Sequence, residues 1–526
     1  MSTDHYDVIV IGSGAGGGTL TYALAPTGKR ILLLERGDYL PREPENWSPQ
    51  ANWLQLRYRN SGKWTDQNGK QFTPKQHYYV GGNTKFYGAV LFRFRERDFQ
   101  AIAHVDGISP QWPLSYADLE PYYTRAEHLY HVHGEHGVDP SEPPTAAAYR
   151  YPALSHEPRI AQLDRDLTAA GLHPFPLPVG IMLDEAAPQF SPCIRCATCD
   201  GYACLTNGKA DAQVVCVEPA LRHPNVTMRT NAQVTRLETG PDGRTVTRVV
   251  VDRNGAREEY SADVVVASCG AINSAALLLR SAGDAHPNGL GNGSDVVGRN
   301  LMMHNNASLI AFSKEPNPTK FQKTLGVNDW YFGDGEWPYP LGGIQMNGKS
   351  DAVLVGFDAP DEADPAELAR HALDFWITTE DLPRPGNRVR VDGGGRISLS
   401  YTPTNTEAHD RLIDKFKGLL DVMRCHREIQ ENRHYWGGRL GISGVAHQNG
   451  TVRFGTDPAT SALDVNCKMH QLDNLYVVDS SFFVSSTAVN PPLTTIANAL
   501  RVAEHLSDRL GVTQVPLHLG EPVRLS

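Results

Sequence analysis

Two blocks near the C-terminus carry residue types that could do chemistry. One reads Ala446-His447-Gln448-Asn449-Gly450-Thr451, the other Val489-Asn490-Pro491-Pro492-Leu493-Thr494-Thr495-Ile496 at the start of a helical pattern. Between them, Leu475-Tyr476-Val477-Val478-Asp479 has the make-up of a short buried strand. A histidine titrates near the working pH, so His447 can take a proton from a hydroxyl. The amide of Asn490 can orient that hydroxyl and stabilise the alkoxide developing on it. The helix that opens after Asn490 brings a positive dipole end to the same place. Such a set suits oxidation of an alcohol, if another part of the chain holds a hydride acceptor. The chain has 20 histidines, and most histidines are hydrogen-bonded structural groups. His304, His426, His434 and His470 keep that structural reading.

The acceptor site is expected at the other end of the chain. Tyr6 to Ile11 is a short apolar, β-branched run. Gly12-Ser13-Gly14-Ala15-Gly16-Gly17 follows, then a helical stretch to about Ala25, then Ile31–Leu34 ending on Glu35. Strand, glycine turn, helix, strand and acid form a dinucleotide fingerprint. Gly12 permits the tight turn, Gly14 lets the backbone approach a pyrophosphate, and Gly17 lets the helix pack on the strand. The helix N-terminus offers free N–H groups to the phosphates. Glu35 can accept from ribose hydroxyls and would repel a 2′-phosphate, which disfavours NADP. The fingerprint alone does not separate FAD from NAD.

The bulk properties fit such an enzyme and exclude other classes. With 526 residues, two domains, interleaved in sequence, are expected. A net charge of −10 and a pI near 6.1 argue against nucleic acid or an anionic membrane as partner. Mean hydropathy is −0.38, and no stretch approaches the roughly 18 to 20 apolar residues of a membrane span. The polar, acidic start (MSTDHYD) is unlike a signal peptide, so a cytoplasmic location is expected. Eight cysteines in this length do not make a disulfide scaffold.

A second glycine stretch, Val80-Gly81-Gly82-Asn83-Thr84-Lys85-Phe86-Tyr87-Gly88-Ala89-Val90, could lie flat against a planar ring. Together with the Gly12 turn, the block from His447 to Gly455 (HQNGTVRFG) and the Asn490 block, it stands in the order seen in the glucose–methanol–choline (GMC) oxidoreductases. Val264–Ile272, and Val297-Gly298-Arg299-Asn300-Leu301 with His304 close behind, match as well. The chain therefore resembles that family over roughly half its length, most closely its bacterial pyranose oxidases and C-glycoside 3-oxidases. The resemblance implies an α/β fold: a Rossmann-like FAD domain with an interleaved substrate domain on an antiparallel sheet. It also implies FAD held noncovalently, because Phe86 stands about where covalent members carry a histidine.

On that basis FAD segments are expected at 1–99, 193–310 and 441–526, and substrate segments at 100–192 and 311–440. The expected FAD contacts are Gly12, Gly14, Ala15, Gly17, Glu35, Arg36, Gly81, Gly82, Thr84, Tyr87, Gly88, Val234, Asp479, Pro491 and Thr494. Val234 would lend its backbone to the adenine. Arg93, Gln345 and Asn347 are candidates for binding substrate hydroxyls. Trp112 to Tyr123 reads as a helix start, and 135–151 as a surface loop that could be a lid or an oligomer contact. The aromatics between 311 and 345, namely Phe321, Trp330, Tyr331, Phe332, Trp337 and Tyr339, are either core or a mobile loop over the pocket. The run 371–400 resembles the sheet that floors the family's substrate pocket.

Cys193-x2-Cys196-x2-Cys199-x4-Cys204, with Cys216 beyond, is the ambiguous feature. It misses the ferredoxin spacing by one residue and lacks the following proline. Structural thiols or disulfides are the favoured reading over a metal or cluster, and no metal site is expected. The function expected overall is oxidation of a secondary hydroxyl of a pyranose sugar or glycoside, at C3 or else C2. His447 would serve as base, FAD N5 would take the hydride, and O2 would reoxidise the flavin to give H2O2. The main alternative is an FAD sugar dehydrogenase feeding a quinone, a cytochrome or an iron–sulfur partner. A flavin-bearing binding protein and an NAD-dependent dehydrogenase are disfavoured, and a homo-oligomer is left open.

Overall fold

The computed structural model describes residues 4–431 and 440–512; His434 lies outside them. Two large sheets organise the chain, each gathered from distant segments. The first orders its strands Val226–Arg229, Ile31–Leu34, Asp4–Ile11, Ala256–Ala267, Val246–Arg253 and Ala232–Thr239, with Leu475–Val477 also pairing with Ala256–Ala267. Ile31–Leu34, Asp4–Ile11, Val226–Arg229 and Leu475–Val477 run parallel to their neighbours, and the last two strands of the order are antiparallel. Parallel strands need helices on both faces, which explains why they read as continuous apolar runs. Val8, Val10, Val265 and Val266 are fully buried, and each such side chain contributes about 1.5–3 kcal/mol relative to exposure.

The helix Ala15–Leu24 starts at Gly14 and Pro492–Arg509 at Pro491. The two helices pack against each other. Their approach to the sheet is close because of the glycines. A Cβ on Gly16 would lie 1.9 Å from the Val478 carbonyl oxygen, and one on Gly17 would lie 2.0 Å from that of Gly12.

The second sheet is antiparallel and orders Cys425–Glu431, Asn305–Ser313, Ala372–Thr379, Gly343–Met346, Leu325–Val327 and Phe175–Pro176. Its two faces differ, as period-2 alternation requires. Leu309, Ala311, Phe375, Ile377, Ile344 and Met346 form a core with the helix Thr406–Gly418. Asn306, Ser308, Asp374, Trp376 and Gln345 take the other face. Ser308 pairs with Trp376 and Trp376 with Gln345, which sets the three in one row across the sheet.

Of the two readings of the aromatics between 311 and 345, the structure favours core: Phe321 and Tyr331 are buried in the main core, and Trp330 and Trp337 pack against the second one. Part of 371–400 lies elsewhere, because Arg388–Val391 and Ile397–Ser400 belong to a small sheet with Trp64–Thr65 and Gln71–Phe72. The loop 135–150 is tied down, with Asp139 held by Arg95 at 2.5 Å and by Asn328 at 2.8 Å.

Candidate functional site

Three helix N-termini converge on one cavity of about 360 Å³ between the two sheets. Gly14 and Ala15 bring the first, Gly270 and Ala271 the second, and Pro491 and Pro492 the third. None of the three carries a side-chain cap. Free N–H groups and dipole ends of this kind favour anionic groups. Gly12 at φ +100° turns the strand into the first helix, and a Cβ there would lie 2.3 Å from the Ser268 carbonyl oxygen. Gly82 at φ +57° lies against Gly14 and flattens the opposite wall.

Acids and arginines place the nucleoside end. Glu35 is buried, and its Oε2 accepts from Ser13 N at 3.1 Å and Ser13 Oγ at 2.6 Å, while Oε1 accepts from Gly37 N at 2.9 Å. Burial raises its pKa against those hydrogen bonds. Arg36 stacks over Tyr78, 3.7 Å from the ring centroid. Asp479 works from beneath: Oδ2 accepts from Gly270 N at 3.0 Å and Ser274 Oγ at 2.5 Å, and Oδ1 from Ser481 N at 2.9 Å. Its carboxylate thus fixes the loop that starts the second helix, and burial pushes its pKa up. Thr84, Tyr87, Gly88 and Val234 line the cavity as well.

Three of the expected contacts sit differently. Gly17 and Gly81 shape the turn rather than line the cavity; the Gly81 N–H donates to Ser13 Oγ at 3.0 Å. Thr494 points away and bonds Tyr123 Oη at 2.7 Å, and Thr495, one residue on, lines the cavity instead. These glycine and helix features form a cradle for a dinucleotide, and the residues present fit FAD.

The other end of the cavity is a polar wall. Asn306, Ser308, Gln345, Asn347, Asp374 and Trp376 line it from one face of the second sheet. Asp374 Oδ2 accepts from Gln322 Nε2 at 2.7 Å and Ser350 N at 3.0 Å, and burial still raises its pKa to about 6. Gln345 and Asn347 were expected here. Arg93 is not here: it is buried in a bidentate pair with Glu127 at 2.7 and 2.6 Å. The missed residues had a signal. Asn306 and Ser308 in NNASLIAFS (305–313), and Asp374 and Thr378 in ALDFWITT (372–379), are two or four residues apart and so share a face within otherwise largely apolar strands.

His447 and Asn490 both line this cavity, half-buried. His447 Nδ1 lies 2.9 Å from His304 Nδ1, and Trp376 stands 6.4 Å from His447 by ring centroids. Burial, with lesser effects of His304 and Lys75, holds the His447 pKa well below that of free imidazole. His304, expected to be purely structural, is therefore part of the site. His426 is exposed, and His470 bonds Ser461 Oγ at 3.1 Å.

The cysteines of the 193–204 block are free thiols, as is Cys216. Among the described residues no group of three or more His, Cys, Asp or Glu is placed to hold a metal ion. The block nevertheless reaches the cavity through Asp200 and Gly201.

The glycine turn on the parallel strands and the three uncapped helix ends on one cavity define a dinucleotide-binding protein. Comparison with known sequences gives the family. The N-terminal GMC oxidoreductase profile matches residues 6–306 and the C-terminal one residues 422–499. The chain belongs to the GMC oxidoreductases, an FAD-binding family of oxidases and dehydrogenases acting on CH–OH groups. It is 32% identical to 6'''-hydroxyparomomycin C oxidase of Streptomyces lividus, over 96% of this chain and 92% of that one. Identity to paromamine 6'-oxidase of Streptomyces fradiae is also 32%, with the same coverage. Among solved structures, pyridoxine 4-oxidase from "Mesorbium loti" has the same fold, with a TM-score of 0.67 at 19% identity, covering 96% of this chain and 99% of that one. Among the described residues, no helix is long and apolar enough to cross a membrane.

Proposed function

We propose that the protein is an FAD-dependent oxidase of a ring hydroxyl in a pyranose sugar or glycoside, at C3 or else C2, with O2 as electron acceptor and H2O2 as co-product. The observation that carries this reading is the shared cavity: His447 and Asn490 line it together with the dinucleotide cradle and a wall of amides, a hydroxyl, a carboxyl and an indole. Amides and hydroxyls both donate and accept, as sugar hydroxyls do, and Trp376 offers an apolar face to the C–H side of a pyranose ring. The two relatives named as oxidases of 6'''-hydroxyparomomycin C and of paromamine support a sugar-type substrate, and their names carry the positions 6''' and 6'.

FAD, when bound, would supply the acceptor for the hydride of the carbinol carbon. The Gly12 turn, Glu35 and the three helix ends would hold it. The residues of this chain do the rest. His447 takes the hydroxyl proton; its low pKa keeps it neutral and able to accept. Asn490 donates to the oxygen as negative charge grows on it. Phe86, which stands about where covalent members of the family carry a histidine, supplies no nucleophile for a flavin link, which supports noncovalent FAD. Eight free thiols fit a reducing compartment, so work in the cytoplasm is part of the same reading.

The test is anaerobic mixing of the purified protein with glucose, a C-glucoside and an amino sugar, followed by air. Bleaching of the flavin band, rapid recovery with peroxide, and a 3-keto product by NMR are expected. His447→Ala should slow bleaching by about 10²- to 10⁴-fold. Oxidation at an exocyclic carbon would replace the C3 assignment, and no bleaching by any of the three would overturn the substrate class. A second reading, a dehydrogenase with another acceptor, draws on the cysteine block touching the cavity wall at Asp200 and Gly201. Bleaching with slow recovery in air would decide for it.

A further inference from the structure

His447 has a partner whose bonding fixes where its own hydrogen sits. Met302–Met303 pairs antiparallel with Gln448–Asn449, Met302 opposite Asn449 and Met303 opposite Gln448. Continuing that register by one residue sets His304 opposite His447. The two rings meet edge to face, centroids 5.0 Å apart at 86°, with 2.9 Å between the Nδ1 atoms. The other ring nitrogen of His304, Nε2, lies 2.9 Å from the Ser486 carbonyl oxygen.

A carbonyl oxygen only accepts, so His304 Nε2 must carry a hydrogen. That carbonyl is itself fixed. Ser486 Oγ donates to the Asp381 carbonyl at 2.9 Å and accepts from Asp381 N at 3.2 Å, and Thr487 beside it is held at φ +55°. His304 is buried, and burial disfavours a second hydrogen on its ring. Its Nδ1 is then a lone pair, and that lone pair faces Nδ1 of His447. A short contact between two such nitrogens needs one hydrogen, which has to be on His447. Neutral His447 has no hydrogen left for Nε2. The charged or titratable groups acting on the pair are Glu380 on His304 and Lys75 on His447, with Asp381 behind Ser486. Glu380 is occupied by Ser109 Oγ at 2.8 Å and His104 Nε2 at 3.3 Å.

We propose that His304 is a positioning residue that holds His447 as its Nδ1–H tautomer, so that Nε2 presents a lone pair to the substrate hydroxyl. The proposal rests on the reading of His447 as the base. One proton moves: the substrate O–H bond breaks, the Nε2–H bond forms, and no electron passes through either ring. On protonation the Nδ1–H···Nδ1 bond becomes charge-assisted and stronger, so the same contact that sets the tautomer also stabilises the product of proton transfer. Groups that orient a metal-ligating histidine are worth about 10- to 100-fold in activity, and an effect of the same order is expected here.

The test uses the full-length, FAD-loaded protein and the variants His304→Leu and His304→Asn, the latter with an amide oxygen near the place of Nδ1. ¹⁵N NMR of histidine-labelled protein, assigned by difference against His447→Ala, should show His447 protonated at Nδ1 in the wild type and shifted toward Nε2–H in His304→Leu. Anaerobic sugar reduction should slow about 10- to 100-fold at saturating sugar in His304→Leu, with half-saturation little changed, and recover for the most part in His304→Asn. An Nε2–H tautomer of His447 in the wild type would overturn the proposal. So would an unchanged tautomer in His304→Leu, or an Asn variant no faster than the Leu one. Should no sugar bleach the wild-type flavin, the substrate assignment fails while the NMR tautomer still decides the role of His304.

Discussion

Replacing Asp374 by asparagine should make the protein more stable at neutral and alkaline pH. The carboxyl is 2% exposed, and burial raises its pKa from 3.8 to about 6 although Gln322 and Ser350 both donate to Oδ2. A carboxyl raised on folding binds its proton more tightly in the folded state. Its stabilising effect is therefore fully present below about pH 3.8, the unfolded value, and is lost as pH rises through about 6. A shift of roughly 2 units at 1.36 kcal/mol each amounts to about 3 kcal/mol, complete by about pH 7. Asparagine keeps the shape, its Oδ1 can accept both bonds, and it has no charge to desolvate. The Asp374→Asn protein should gain about 3 kcal/mol on the wild type between pH 4 and pH 8. For a chain of this length that is a melting-temperature gap widening by about 3 °C. Differential scanning fluorimetry of both proteins across that range measures it. A gap that stays constant with pH would refute the raised carboxyl, and one that widens toward acid would mean that the cavity stabilises the charge.

Three further outcomes are expected. Acid precipitation should leave the flavin in the supernatant as free FAD, read from its absorption spectrum; a yellow pellet would mean a covalent link that Phe86 cannot make. Gly12→Ala forces a side chain onto φ +100° with its Cβ 2.3 Å from the Ser268 carbonyl. It should cost at least about 1–3 kcal/mol and lower the ratio of flavin to protein absorbance on purification, and a full flavin load would count against the close-packed turn. Arg93→Ala strands Glu127, itself 2% exposed, at a cost of about 3–5 kcal/mol. Melting temperature should fall while the Michaelis constant of the remaining enzyme stays put, and the reverse pattern would return Arg93 to the substrate wall.

Much of the cofactor side could be read from the chain because its signals are local. Tyr6–Ile11, the Gly12 turn and Glu35 fall within 30 residues, and the backbone conformations involved admit few residue types. Gly82 and the Asn490–Pro491–Pro492 helix start are local for the same reason. Errors arose where a residue's role depends on which side of an element it faces. Thr494 and Thr495 are neighbours on one helix, and only packing against Tyr123 turns the first away from the cavity. Arg93 is a fit candidate for a sugar hydroxyl until Glu127 arrives from the helix Tyr116–Leu129 to pair with it. The aromatics of 311–345 have the composition of either a lid or a core, and composition cannot choose between them.

The glycine turns and the apolar parallel strands are written in short stretches of sequence, because steric limits on φ, ψ and strand burial act over a few residues, whereas His447 stands out only through the resemblance of its block to the GMC family. Tertiary structure alone decided the rest. It set Trp376 in a row with Ser308 and Gln345, brought Asp374 onto the cavity wall, and carried the 304 strand onto the 448 strand so that His304 meets His447, 143 residues away. The physical reason is that a hydrogen bond or a buried charge depends on which groups meet in space. In this fold the groups that meet come from segments that sheet pairing, rather than chain proximity, brings together.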